Sequence, residues 1–208
     1  MRDCSCAEAA TAVEAVFALL PGGYEVDKEA ALYDDSLTYG EMSTSDLRLL
    51  VQALEFPVQE LAFADLGSGV GKLVLAAASV FRSSAGYELA PERAAVAAAA
   101  HAALGAPVNA LLVCGDFLLA PLQGVDVIFT HNMVFSRALQ RAMQLKLDAE
   151  LRPGAVVFAV LELKYAKRAV LTAELAASYN WAPAGELRPL YVYTMAGDPV
   201  PLPDETSD

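Results

Sequence analysis

The chain has 208 residues, 56% of them hydrophobic and 19% charged, which excludes intrinsic disorder for the whole and fits one domain with at most a short appendage. Mean hydropathy is +0.39, but the longest stretch without an acid or a base, Ala94 to Gly115, is mostly alanine and is interrupted at Gly105-Ala106-Pro107, so it does not read as a membrane span. The net charge of −12, with 12 acids against three bases in residues 1–60, argues against strong direct nucleic-acid binding through a broad basic surface and serves either solubility or a basic partner.

In chain order, the residues up to about Leu20 predict an amphipathic helix carrying Ala9, Val13, Val16 and Phe17, stopped by Pro21-Gly22-Gly23. The start lacks the basic segment, apolar core and cleavage site of a secretory signal, so a soluble intracellular chain is expected. Cys4, Cys6 and Cys114 fit a reducing compartment. Cys4-Ser5-Cys6 has no second ligand pair, so no metal site is expected, and Cys114, closing an apolar run, reads as a buried small hydrophobe. Residues 24–42 are acidic and turn-rich. A helix follows through Leu47, Leu50, Val51 and Leu54, with the hydroxyls of Ser43, Thr44 and Ser45 as candidate caps.

From residue 61 strands and helices alternate. Leu61–Leu66 reads as a strand, then a glycine turn and a helix over Lys72–Phe81; Ser84–Leu89 is the next strand, before the alanine-rich helix Pro91–Leu104. Ala110–Cys114 and Val125–Thr130 are further strands, Ser136–Leu151 a helix, Gly154–Leu161 a strand, Tyr165–Ser178 a helix and Leu187–Thr194 a last strand. That alternation predicts an α/β fold, a mostly parallel sheet with helices on both faces. In such a sheet ligands sit at the carboxyl ends of the strands, where the strand order switches.

The strand ends are therefore where chemistry is sought. Asp65-Leu66-Gly67-Ser68-Gly69-Val70-Gly71 permits a tight turn and close backbone approach, but it is not the dinucleotide spacing, and its acid would repel a pyrophosphate while holding an ammonium. Glu88 ends the second strand, placed to accept the two hydroxyls of a ribose, and Asp116 follows the third, where it can accept from an adenine amino group with Phe117 against the ring. Three acids at successive strand ends describe a pocket for a nucleoside that carries an amino-acid group and no phosphate, which points to S-adenosylmethionine.

On these residues the chain resembles the class I, Rossmann-like methyltransferases. With Tyr39-Gly40-Glu41 before the second helix, Gly115-Asp116-Phe117-Leu118, and His131-Asn132-Met133-Val134-Phe135 after the fourth strand, it resembles the disruptor-of-telomeric-silencing (DOT1-like) family of histone H3 lysine methyltransferases, from about Tyr39 to Met195. The resemblance implies S-adenosylmethionine as cofactor and a lysine in the globular core of nucleosomal histone H3 as acceptor, without a SET domain, and hence a nuclear protein. It implies cofactor contacts from Tyr39, Glu41, Asp65, Gly67, Ser68, Gly69, Gly71, Glu88, Asp116, Phe117 and Asn132, and places His131, Asn132, Phe135 and Tyr191 on the catalytic side, with Asn132 and Phe135 at the mouth of the lysine channel. It divides the chain into an acidic extension (1–38), the methyltransferase domain (39–198) and an acidic tail (199–208).

The chain departs from that family at identifiable places. His131 stands where the family has the first of two asparagines, Met42 where a small residue follows Tyr-Gly-Glu, and Leu190-Tyr191 where tandem aromatics close the channel. No basic segment flanks the domain; the densest basic region is Arg137 to Arg168, with seven bases against three acids. His131 has two readings, a general base for the incoming amine or a strand-end histidine hydrogen-bonded locally. Tyr191 and Tyr193 share a face of the last strand, as channel wall or as packing. The alternatives to a histone-directed enzyme are a methyltransferase for another protein or a small molecule, and a non-catalytic domain that binds the cofactor or a partner.

Overall fold

The computed structural model describes residues 2–20 and 40–202, with residues 2–6 described by their backbone. Tyr39, the boundary at residue 38 and the end of the acidic tail lie outside the described residues. Five α-helices are present there: α1 (Arg2–Phe17), α2 (Leu47–Ala53), α3 (Lys72–Ala77), α4 (Pro91–Ala103) and α5 (Arg137–Glu150). Seven strands, β1 (Ala62–Leu66), β2 (Ser83–Glu88), β3 (Ala110–Cys114), β4 (Val127–Thr130), β5 (Val156–Ala159), β6 (Ala169–Ser178) and β7 (Leu187–Met195), form one sheet in the order β3-β2-β1-β4-β5-β7-β6.

The first five strands pair in parallel, and β7 pairs antiparallel to both β5 and β6. The chain winds outward from β1 to β3, then returns to β4 on the other side of β1, so the switch in strand order falls between β1 and β4. Two apolar layers cover the sheet. One contains Phe63, Phe158, Leu190 and Val192 with Leu47 and Leu50 of α2; the other contains Ile128, Val157 and Tyr193 with Met143 and Leu147 of α5. Each of these large side chains contributes about 1.5–3 kcal/mol through removal from water. α1 joins the first layer through Val13 and Phe17, packing on α2, α3 and α4, so this part of the extension is built into the core. Among the described residues no helix is long and apolar enough to cross a membrane.

Most strand positions agree with the sequence reading to within two or three residues; the differences have physical causes. Residues 169–178, expected as part of a helix, form β6, because their Ala, Leu and Glu content favours a helix locally while the long antiparallel pairing with β7 decides the outcome. Cys114 is exposed rather than buried, since β3 is an edge strand. The hydroxyl caps expected before α2 are not formed: Ser43 bonds Ser45, and Asp46 instead accepts from the backbone amide of Ser178 at 2.6 Å. α3 is shorter than expected and ends at Ala77.

Gly71 caps α3 at φ +80, and a Cβ there would lie 2.9 Å from Leu112 Cδ2 and 3.1 Å from Ala97 Cβ. Neither the left-handed backbone nor the space suits a side chain. Gly71→Ala is expected to cost about 1–3 kcal/mol, read as a lower urea midpoint at unchanged slope.

Candidate active site

The turn from β1 into α3 is fixed by the end of β2. The amides of Gly67 and Ser68 both donate to the carbonyl of Tyr87, at 3.0 Å each, and the Gly69 amide donates to Glu88 Oε2 at 2.8 Å. Gly67, Gly69 and Gly71 all adopt positive φ. The other oxygen of Glu88 accepts from the Ala90 amide at 2.8 Å and faces the guanidinium of Arg93 at 3.6 Å, both side chains being buried. Each carboxylate oxygen has a second lone pair.

This turn forms one side of a cleft at the carboxyl ends of β1, β2 and β3. Of the residues singled out in the sequence, Glu41, Asp65, Gly67, Ser68, Gly69, Glu88, Asp116, Phe117, His131 and Phe135 line it. Asp116 is exposed and its Oδ1 accepts from the Leu118 amide. Phe117 stacks on Phe135 with ring centroids 5.6 Å apart, and Phe135 Cζ would lie 3.1 Å from a Cβ at Gly67, so only glycine lets the ring approach this turn.

Asp65 carries the strongest electrostatic signal. Its Oδ1 is buried and, among the described residues, without a hydrogen-bond partner. Burial raises its pKa well above the ordinary carboxylate value, and the nearby carboxylates of Glu88 and Glu41 raise it further. A buried acceptor in that position is matched to a cation brought by a ligand. The residues present therefore fit the ammonium end of an amino-acid nucleoside, with Glu88 and Asp116 along the same cleft.

The front wall comes from residues far apart in sequence. Glu41 binds Lys72 at 3.0 Å, and Lys72 also lies over the Phe17 ring of α1, 5.3 Å from its centroid. Burial raises the Glu41 pKa, with Lys72 acting in the opposite sense. The backbone of Glu41 donates to Asn180 Oδ1 at 2.9 Å and accepts from the Asn180 amide at 3.0 Å, while Met42 bridges Tyr179. Beside them Trp181 Nε1 donates to His131 Nε2 at 2.9 Å, and a Cβ on Gly40 would lie 2.7 Å from the His131 ring. His131 Nε2 is thus an acceptor, and the neutral ring carries its proton on Nδ1. Burial lowers its pKa from 6.5 to about 4. An imidazole so held is a weak base at neutral pH and a structural element of the cleft wall.

Three residues assigned to the site from the sequence lie elsewhere. Gly71 packs on α4, as described above. Asn132 is fully buried behind the cleft, donating to Gln140 Oε1 at 3.0 Å and to the Leu161 carbonyl at 3.3 Å, and accepting from the Leu161 amide at 2.8 Å. Tyr191 lines a second cavity, which meets the cleft at Phe135. Sequence reasoning missed Lys72, Arg93, Tyr179 and Trp181. Lys72 and Arg93 follow closely on acids already singled out, whereas nothing local marks the two aromatics.

The fold is that of the class I methyltransferases. An RNA methyltransferase from Salinibacter ruber, solved with S-adenosyl-L-homocysteine, matches with TM-score 0.55 at 19% identity, over 76% of this chain and 97% of that one. Geranyl diphosphate C-methyltransferase from Streptomyces coelicolor A3(2) matches with TM-score 0.59 at 10% identity, over 74% and 76%. TrmN from Thermus thermophilus matches with TM-score 0.61 at 20% identity, over 82% of this chain and 53% of that one. More particularly, residues 33–111 match the family model of histone methylation protein DOT1, so the resemblance read in the sequence holds over that stretch. No curated protein matches the chain. The family match takes in the Gly40-Glu41 segment, the glycine turn and Glu88, and ends within β3, before Asp116 and the segment from His131 to Phe135.

Two pH effects follow. The depressed pKa of His131 means that its protonation opposes folding, so its contribution is present above about pH 6.5 and is lost as pH falls towards 4. Stability should fall over that window with a slope approaching about 1.4 kcal/mol per pH unit from this group, and His131→Asn should flatten it in urea titrations. The raised pKa of Asp65 has the opposite sign: its contribution is lost as pH rises through the raised value. Asp65→Asn should therefore raise the ligand-free melting temperature at neutral pH by about 2–4 °C per kcal/mol relieved.

Proposed function

We propose that the chain is an S-adenosylmethionine-dependent methyltransferase acting on a protein lysine. The observation that carries the cofactor is the buried oxygen of Asp65, without a hydrogen-bond partner among the described residues, in a cleft that also presents Glu88 and Asp116. In this reading Asp65 holds the cofactor's ammonium with the backbone of the glycine turn, Glu88 accepts from the ribose hydroxyls, and Asp116 with Phe117 receives the adenine. Glu41, tied to Lys72, closes the front. The cofactor when bound supplies an activated methyl group on a sulfonium with a good leaving group.

What remains for the protein is alignment and exclusion of water. Phe135 stands between the cleft and the second cavity and is the wall past which an acceptor nitrogen must approach. The apolar surroundings of Phe135, Val134 and Leu139 favour the neutral amine, the nucleophilic form. The match to the histone methylation protein model supports a histone acceptor, and the resemblance read in the sequence makes that acceptor a lysine of nucleosomal histone H3, in the nucleus. A second reading, an acceptor other than a histone, is supported by the end of that match before the acceptor-side residues.

Methyl transfer from labelled S-adenosylmethionine to core histones, intact nucleosomes and a cell extract, offered in parallel, tests both. Label on histone H3, stronger on nucleosomes, is the outcome of the first reading, and label on a non-histone band that of the second. Asp65→Asn is expected to weaken cofactor binding by about tenfold to a hundredfold in calorimetry, the loss of one charge-assisted contact; unchanged binding sinks the assignment of the site.

A further inference from the structure

The basic region from Arg137 to Arg168 divides sharply once its partners are known. Lys146 is paired with Glu150, Arg152 with Asp126, and the buried Arg168 donates to the carbonyls of Asp148, Leu151, Ala196 and Gly197. Among the described residues the remaining four, Arg137, Arg141, Lys164 and Lys167, pair with no carboxylate, and all four are exposed. Arg137 makes a side-chain bond to the Tyr165 hydroxyl at 3.0 Å.

These four cations lie along one path. Phe135 is common to the cleft and to the second cavity, where Arg137 and Lys164 stand; Lys164 and Tyr165 are common to that cavity and to a third, where Arg141 and Lys167 stand. Arg137 and Arg141 are one turn apart on α5, which sets them on one face. Two acids share the path: Glu162, which is exposed, and Asp148, whose carboxylate accepts from the amides of Lys167 and Arg168. In a chain of net charge −12 this is a local cationic track that begins where the acceptor nitrogen must pass.

Resting on the methyltransferase reading above, we infer that this track seats a protein segment in which the acceptor lysine is flanked by acidic residues. The cations attract the flanks, and by opposing a second positive charge near Phe135 they favour the neutral amine there. A nucleic-acid strand is the poorer match, because four cations set in a strongly acidic protein give little of the phosphate neutralisation on which such binding depends.

The test uses the full chain with S-adenosylhomocysteine and fluorescent peptides that carry one lysine flanked either by aspartates or by arginines. By anisotropy at low salt the aspartate peptide should bind about tenfold more tightly, an advantage that shrinks as salt is added and disappears in the double variant Arg141→Glu, Lys167→Glu. Should that variant not fold, the neutral pair Arg141→Gln, Lys167→Gln reads the same preference as a partial loss. Equal binding of the two peptides, preference for the arginine peptide, a preference that survives charge reversal, or tighter binding of a single-stranded RNA oligonucleotide each overturns the proposal. Calorimetry with S-adenosylmethionine on the same wild-type protein separates the two failures: no cofactor binding sinks the methyltransferase reading, while intact binding without the peptide preference sinks the track alone.

Discussion

The cleft depends on the glycine turn after β1 being held against the end of β2. Two amides of that turn reach one carbonyl, that of Tyr87, and a third reaches Glu88, so the backbone has to run through left-handed conformations at close range. With the turn fixed, Asp65 is buried beneath it, Phe135 closes over Gly67, and Glu88 is set between the turn and Arg93. A buried ion pair such as Glu88–Arg93 adds little net stability, because desolvation offsets most of its attraction, but removing one partner leaves an uncompensated charge. With the Gly69 and Ala90 amides it fixes the position of the Glu88 carboxylate at the edge of the cleft.

Much of this was legible in the sequence because parallel strands place their functional residues at a fixed point, the carboxyl end. Asp65, Glu88 and Asp116 could be found by locating strand ends, and the glycine spacing announced a turn that no larger residue would accept. Legibility ended where partners come from distant segments. Trp181 and Tyr179 carry no local mark of a site, and their role arises only because β6 returns antiparallel to the sheet edge beside His131. β6 itself was hidden by residues that favour helices in isolation. Asn132, placed at the channel by resemblance, proves to spend its amide on Gln140 and Leu161, a demand that only the folded neighbours reveal.

The two ends of the cleft differ in how they are built. The end that the proposed function gives to the cofactor is built around β1 and β2, whereas the end it gives to the acceptor is assembled from α5 and the segment after β5, where the exposed cations gather. The family match, residues 33–111, takes in the glycine turn and Glu88 but ends before Asp116 and before the residues of α5. In the proposed reading the methyl donor and the acceptor are held by different segments of one scaffold, so a change in the acceptor side need not disturb the glycine turn.

The bonds between Glu41 and Asn180, together with the bridge from Met42 to Tyr179, join backbone segments 139 residues apart in the case of Glu41 and Asn180. On a ribosome such a wall is out of reach until the hairpin of β6 and β7 has emerged, long after the glycine turn has been made. A chain that ends before Asn180 lacks the partner that Glu41 needs and so lacks this wall. The order of synthesis therefore makes closure of the cleft a report that the last strands have been laid down.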